Sequence, residues 1–278
     1  METVGIVGGA GRMGSWLAYQ LRNQYDIVIF DLNKKKLKLI SEKQNIKSCR
    51  SLKELIVKSN IIVIAVPLDK TAYIVDSLAE KGDLRHKIIF DIASFKKDVI
   101  KAYSKYNEKA IICSIHPLFG AGASSLSGQK IALIPIPKHE QDVAIVEDFL
   151  GKYESRTFII DAITHDEIMG LVLGIPYLIG MTLMMTAKEY DTDVLKQLAG
   201  TSFSYLYTYS KAIFIEEPEL IYSIIHQDSS KQSAKLFIKI AGFIQKMGKT
   251  KFIKTTDSVH QELGESVEEA YGRFYKFN

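Results

Sequence analysis

The chain has 278 residues, enough for two domains or one large one. Hydrophobic residues supply 47% and charged residues 24%, the balance of a soluble globular protein. A net charge of +4, with no basic run longer than Lys34-Lys35-Lys36, argues against nucleic acid as a partner. Cys49 and Cys113 stand far apart in no metal-ligand spacing, so no metal site is expected and a reducing cytoplasm is. Met1-Glu2 runs straight into a strand, which argues against a signal peptide.

Short apolar runs at Val4 to Val7, Ile27 to Asp31, Ile61 to Val66, Ile88 to Asp91, Ile111 to His116, Ile131 to Pro135 and Thr157 to Ile160 read as strands. Helical stretches such as Met13 to Asn23, Ser51 to Ser59 and Thr71 to Lys81 lie between them, and Lys34 opens another after a turn. This alternation predicts an α/β domain over residues 1–162, with a mostly parallel sheet and helices on its faces. From Thr164 the strands stop. Asp166 to Tyr190, Val194 to Ile215, Glu219 to Ile225, Ser230 to Met247 and Thr256 to Tyr275 predict an all-α domain over residues 163–278, and Thr164 with Glu167 has the capping-box spacing. Ile168 to Ala187 carries no charge and is long enough to span a bilayer. Its interruptions at Gly170, Gly174, Pro176 and Gly180 favour a core helix, so no membrane partner is expected.

Gly9, Gly11 and Gly14 form G-x-G-x-x-G between a strand and a helix, the context a Rossmann-type dinucleotide site requires. Gly9 is expected at the tight turn, Gly11 where the backbone approaches a pyrophosphate, and Gly14 where helix meets strand. Asp31 ends the second strand, placed to bond the ribose hydroxyls and repel a 2′-phosphate, which favours NAD over NADP, although Arg12 and Lys34 are cations near enough to tolerate that phosphate. His116 opens His116-Pro117-Leu118-Phe119-Gly120 at the end of a buried strand, where proline is expected to stop the ladder and hold the imidazole at the carboxyl edge of the sheet. There a neutral histidine can take a proton from an alcohol as its carbon gives up hydride. Ser94 falls at the same edge, either orienting that base or capping a helix, and Lys96 follows as a possible solvated first-turn lysine.

These residues resemble the prephenate/arogenate dehydrogenases of tyrosine biosynthesis along nearly the whole chain. Gly8-Gly9-Ala10-Gly11-Arg12-Met13-Gly14 is similar to that family's G-G-x-G-x-M-G, Asp91-Ile92-Ala93-Ser94-Phe95-Lys96 to D-V-x-S-x-K, and His116 to Gly120 to H-P-M-F-G. His165-Asp166 with Met169 resembles H-D-x-x-M, and Glu217-Pro218-Glu219-Leu220 resembles D-P-x-L. The resemblance implies oxidative decarboxylation of prephenate, or of arogenate, with hydride passing to NAD. It makes His116 and Ser94 catalytic, and it places Val66 and Pro67 beside the nicotinamide, with Gly9, Gly11, Arg12, Met13, Gly14 and Asp31 on the rest of the cofactor. Gln129, Lys96, Tyr177 and His165 are implied at the substrate, His165 alternatively as a helix cap. A homodimer through the helical domain is implied as well.

Two positions depart from the family pattern. Tyr177 stands in Gly174-Ile175-Pro176-Tyr177 where many members carry a histidine, and no arginine occurs near Ser204, where the family holds a substrate carboxylate. Lys188, Lys211 and Arg273, from this chain or a partner subunit, are the candidate replacements, and backbone N–H groups at a helix end are the alternative. A β-hydroxyacid or imine reductase using Lys188, and a non-catalytic NAD-binding regulator, are the rival readings.

Overall fold

The computed structural model describes residues 1–106 and 110–276; residues 277–278, the end of the expected helical domain, lie outside the described residues. Nearly continuous apolar runs need cover on both faces. That requirement is met by an eight-stranded sheet of β1 (Thr3–Val7), β2 (Asp26–Phe30), β3 (Lys47–Ser48), β4 (Ile61–Ile64), β5 (Ile88–Asp91), β6 (Ile111–Pro117), β7 (Lys130–Ile134) and β8 (Arg156–Ile159) in the order β3-β2-β1-β4-β5-β6-β7-β8. All neighbours are parallel except β6 and β7. The chain reverses its winding between β1 and β4, so the carboxyl edge there opens the crevice where such sheets bind ligands.

One face is covered by α1 (Arg12–Leu21), α2 (Lys34–Gln44) and α6 (Val143–Gly151) through Leu17, Leu21, Leu37, Val146 and Phe149. The other is covered by α3 (Leu52–Lys58), α4 (Leu68–Lys81) and α5 (Lys97–Tyr103) through Leu55, Ile56, Val75, Leu78 and Val99. Two details differ from expectation. The two-residue β3 has no apolar pattern to read, and β6 does not stop at His116. Pro117 pairs with Ile131 in the antiparallel ladder, and Leu118 N–H still donates to Lys130 O at 2.9 Å.

The helical half comprises α7 (Ala162–Met169), a π-helical turn (Gly170–Gly174), α8 (Ile175–Ala187), α9 (Thr192–Leu198), α10 (Thr201–Ala212), α11 (Pro218–Ile225), α12 (Asp228–Gln245), α13 (Lys249–Leu263) and α14 (Ser266–Phe274). The expected capping box is not what starts α7. Asp161 caps it, its carboxylate accepting from Ile163 N–H and Thr164 N–H. The single helix expected over Val194 to Ile215 is broken by extended backbone at Ala199 and Gly200. The one expected over Thr256 to Tyr275 is broken at Gly264, whose φ of +55° no ordinary side chain adopts comfortably. Ala162–Ala187 is apolar enough to cross a membrane, with mean hydropathy 2.0, yet α8 within it packs against α10, α11 and α12, the demand a core or subunit interface makes equally.

The π-helical turn packs on the start of α12, where a Cβ at Gly170 would fall 2.5 Å from the Ser229 carbonyl carbon and oxygen. Alanine elsewhere in a helix gains about 1 kcal/mol over glycine. Here the backbone clash outweighs that gain, because overpacking against a carbonyl costs about 1–3 kcal/mol and the neighbour is not a flexible side chain. Gly170→Ala is therefore expected to lower the unfolding midpoint in urea, and a raised midpoint would show that the turn and α12 separate freely.

Candidate active site

The glycine-rich turn forms a cradle by steric exclusion. The tight turn falls on Gly8 rather than on Gly9 as expected: Gly8 has φ +83°, and both Gly8 N–H and Gly9 N–H donate to Phe30 O. A Cβ on Gly9 would strike Ile29 Cβ at 2.5 Å, and one on Gly14 would strike Gly8 O at 2.2 Å, so both positions keep α1 close to the sheet. A Cβ on Gly11 would meet Gly8 O at 3.2 Å and Ala65 O at 3.8 Å, without the direct clash found at Gly9 and Gly14, which leaves that side more open. No side chain caps the α1 N-terminus and no acid lies in its first turn, so its N–H groups and partial positive charge face the opening. Asp31 crosses the turn, its two oxygens accepting from Ala10 N–H at 3.1 Å and Asn33 N–H at 2.8 Å. These residues fit a dinucleotide pyrophosphate and ribose. Met13 sits half-buried in the first turn of α1, while Val66 and Pro67 lie just past β4, in the turn that leads into α4 at the switch point.

His116 lies two residues beyond the point where β6 leaves β5, at the carboxyl edge, and is 5% exposed. Its Nδ1 is 3.0 Å from His165 Nε2, and His165 Nδ1 is 2.8 Å from Asp166 Oδ1. The proton positions follow from that order. A carboxylate only accepts, so His165 Nδ1 carries hydrogen; its Nε2 then accepts, so His116 Nδ1 carries hydrogen and His116 Nε2 holds the lone pair. His116 Nε2 has no hydrogen-bond partner among the described residues and is not sealed from solvent. The arrangement thus presents one basic nitrogen to the cleft. Burial first, then the Lys96 ammonium and the neighbouring His165 ring, hold the His116 pKa well below its ordinary 6.5.

His165 is 1% exposed and caps no helix; it links His116 to Asp166. Asp166 has a second task, since its carboxylate accepts from Lys96 N–H and Lys97 N–H at 2.9–3.0 Å and so caps α5 from across the molecule. This leaves the Ser94 hydroxyl outside the capping role considered for it, half-buried and with no hydrogen bond among the described residues. Lys96 is no solvated lysine, nor does its ammonium reach the cleft. It is fully buried, donating to Ile115 O at 2.7 Å and to Asp91 Oδ1 at 3.3 Å, directly behind His116. Gln129 precedes β7 at the same sheet edge, beside the Leu118–Lys130 bond.

Tyr177 follows the π-helical turn and packs with Phe95, Leu68 and Leu220 where the halves meet, its pKa pushed up to about 12 by burial, then Glu216 and Tyr209. Of the cations considered for the substrate carboxylate, Arg273 is paired with Glu269, Lys211 lies over the Tyr207 ring at 5.0 Å, and Lys188 closes α8. Three contributors went unread in the sequence. Asp166 sat inside a quoted motif without a role. Trp16, the only tryptophan, holds the loop after His116 on α1 through Ala123 O at 2.7 Å and an edge contact with Phe119 at 5.4 Å. Glu216 reaches Arg12 at 3.8 Å; its only signal was one more acid beside Glu217-Pro218.

Residues 17–159, just over half the chain, match the family described as prephenate dehydrogenase, nucleotide-binding domain. A probable arogenate/prephenate dehydrogenase of Methanocaldococcus jannaschii is 28% identical over 199 residues, covering 69% of this chain; the chain spans less than half of that relative, 44% of its length. Among solved structures, the prephenate dehydrogenase of Aquifex aeolicus in complex with hydroxyphenyl propionate and NAD+ superposes with a TM-score of 0.75 at 18% identity, covering 100% of this chain and 99% of that one. Synechocystis arogenate dehydrogenase gives 0.67 at 17%, covering 99% and 100%. At these identities the structural likeness speaks for the fold.

A histidine held neutral by burial makes stability depend on pH with a defined sign. Between the lowered folded pKa and the unfolded value near 6.5, the unfolded chain binds the extra proton. The contribution is whole above pH 6.5 and is lost as pH falls through that window, at up to about 1.4 kcal/mol per pH unit for one proton. Urea unfolding at a series of pH values below 6.5 should give a shallower slope for His116→Asn than for the wild type. Equal slopes would mean that His116 is not held neutral.

Proposed function

The chain belongs to the prephenate dehydrogenase family, and from that premise we propose that it oxidatively decarboxylates prephenate to 4-hydroxyphenylpyruvate with NAD as hydride acceptor. Arogenate, which carries the same reacting ring, is the close alternative. The observation that carries the reading is the Asp166–His165–His116 line, which ends in a free basic nitrogen at the sheet edge.

NAD, when bound, would supply the hydride acceptor; the glycine cradle and the uncapped α1 N-terminus would hold its phosphates, Asp31 its ribose, and Val66 and Pro67 its nicotinamide end. His116 Nε2 accepts the C4 hydroxyl proton as hydride leaves that carbon, and the ring carboxylate departs as CO₂ to leave an aromatic product. Protonation makes His116 an imidazolium in a buried place, which costs free energy unless the charge is met. Asp166 meets it through His165, a hydrogen bond away on each side. Ser94 supplies a hydroxyl with no other engagement, suited to holding the substrate oxygen in register with the base. Gln129 and Tyr177 offer neutral polar groups for the rest of the substrate.

We place the enzyme in the cytoplasm as a homodimer. The apolar residues Leu236, Ile240, Phe243, Phe252 and Val259 of α12 and α13 are 47–58% exposed in one chain, a face water does not favour, and aromatic enrichment of this kind marks subunit interfaces.

The test is NADH formation from NAD with prephenate and with arogenate at matched concentrations. Turnover of one or both is expected, and His116→Asn should lower kcat/KM by about 10²–10⁴-fold while NAD binding is retained. Asp166→Asn is expected to lower kcat with a lesser effect on KM. Full hydride transfer in His116→Asn would end the assignment of the base, and absence of turnover with both substrates would end the assignment of the reaction.

A further inference from the structure

The cofactor edge of the cleft carries contradictory signals in sequence: an acid, Asp31, that suits NAD, followed after Leu32 and Asn33 by three lysines and preceded by Arg12, which suit a 2′-phosphate. The structure shows what becomes of those cations. Lys34 Nζ turns to Asp31 O at 3.1 Å and Arg50 O at 3.5 Å and lies over the Phe30 ring at 4.6 Å. Lys36 reaches Glu217 at 3.5 Å, and its backbone N–H, an anion donor at the start of α2, is taken by Asn33 Oδ1 at 3.0 Å. Arg12, at the mouth of the glycine cradle, faces Glu216 at 3.8 Å. The two glutamates come from the turn between α10 and α11, so the helical half sends an acidic corner across to the nucleotide half.

We propose that Glu216 and Glu217 are specificity-determining residues for the dinucleotide, disfavouring a 2′-phosphorylated cofactor by occupying Arg12 and Lys36 and by setting two negative charges against these cations. The proposal rests on the reading of the glycine cradle as a dinucleotide site. Its physics is differential. A pyrophosphate is common to both cofactors and draws on the α1 N-terminus, so neutralising the glutamates changes its binding equally in the two cases. Only the 2′-phosphate, about two further negative charges by analogy with other phosphomonoesters, must compete for Lys36 and sit near the acids. Lys35 and Arg50 carry no ion pair among the described residues, so the exclusion is graded and is read as a ratio of affinities. Both ion pairs are exposed enough for salt to screen them, Lys36 and Glu217 by 60% and 72%.

The experiment is calorimetric titration of the full chain with NAD and with NADP, at low and high ionic strength, in the wild type and in Glu216→Gln/Glu217→Gln. The double variant is expected to narrow the NAD-over-NADP affinity ratio by about three- to tenfold at low salt, the size two exposed charge pairs permit, with most of the change in NADP. At high salt the difference between variant and wild type should shrink. Glu217→Lys should narrow the ratio further. A ratio unchanged in both variants, or NAD and NADP shifting equally, would overturn the proposal while leaving the dinucleotide site intact. Failure of the wild type to bind either nucleotide would overturn the cradle reading itself, so the two failures are distinguishable.

Discussion

One carboxylate organises the site. Asp166 belongs to α7, in the helical half, yet it accepts the backbone N–H groups of Lys96 and Lys97 at the start of α5, in the nucleotide half. A charged acceptor at a helix N-terminus is among the stronger of such bonds, being both charge-assisted and aligned with the helix dipole. The same carboxylate fixes the His165 tautomer, and through it the tautomer of His116. A single residue thus locks the joint between the halves and decides which nitrogen of the base faces the cleft. Any motion that pulled α7 away from α5 would also break the proton order, so the proposed proton transfer requires the joint to be formed.

Much of this was legible in the sequence, and the reasons differ from place to place. The central strands β1, β2, β4, β5 and β6 read well because a doubly covered strand must be apolar at almost every position, a demand that the two-residue edge strand β3 escapes. The dinucleotide turn read well because its glycines answer steric demands, although the demand at Gly8 was assigned to its neighbour. The breaks at Gly200 and Gly264 were missed because the helical period continues on either side of each. Lys96 illustrates a harder limit. A lysine after a turn usually points to water, and only the depth of the fold shows that this one is sealed, bonded to Asp91 and to the residue before His116. Asp166 and Glu216 act on residues 70 and 204 positions away in the chain, a distance at which spacing carries no signal.

The electrostatics of the base can be ordered by what each neighbour does. Burial and the buried Lys96 both disfavour a proton on His116, and they prevail in the resting protein. That keeps the lone pair available across the neutral range, at the cost of making the imidazole a weak base. Under the proposed reaction a weak base suffices, because formation of an aromatic product drives the proton off and His116 has only to take it in place. What the site needs beyond position is brief tolerance of the positive charge. Asp166 can provide it across His165 without being close enough to charge His116 at rest. A direct Asp–His pair would have raised the resting pKa, and no acid at all would have left the imidazolium stranded. An intervening neutral histidine lies between these extremes, which gives a physical reason for two histidines in line at the joint of the two halves.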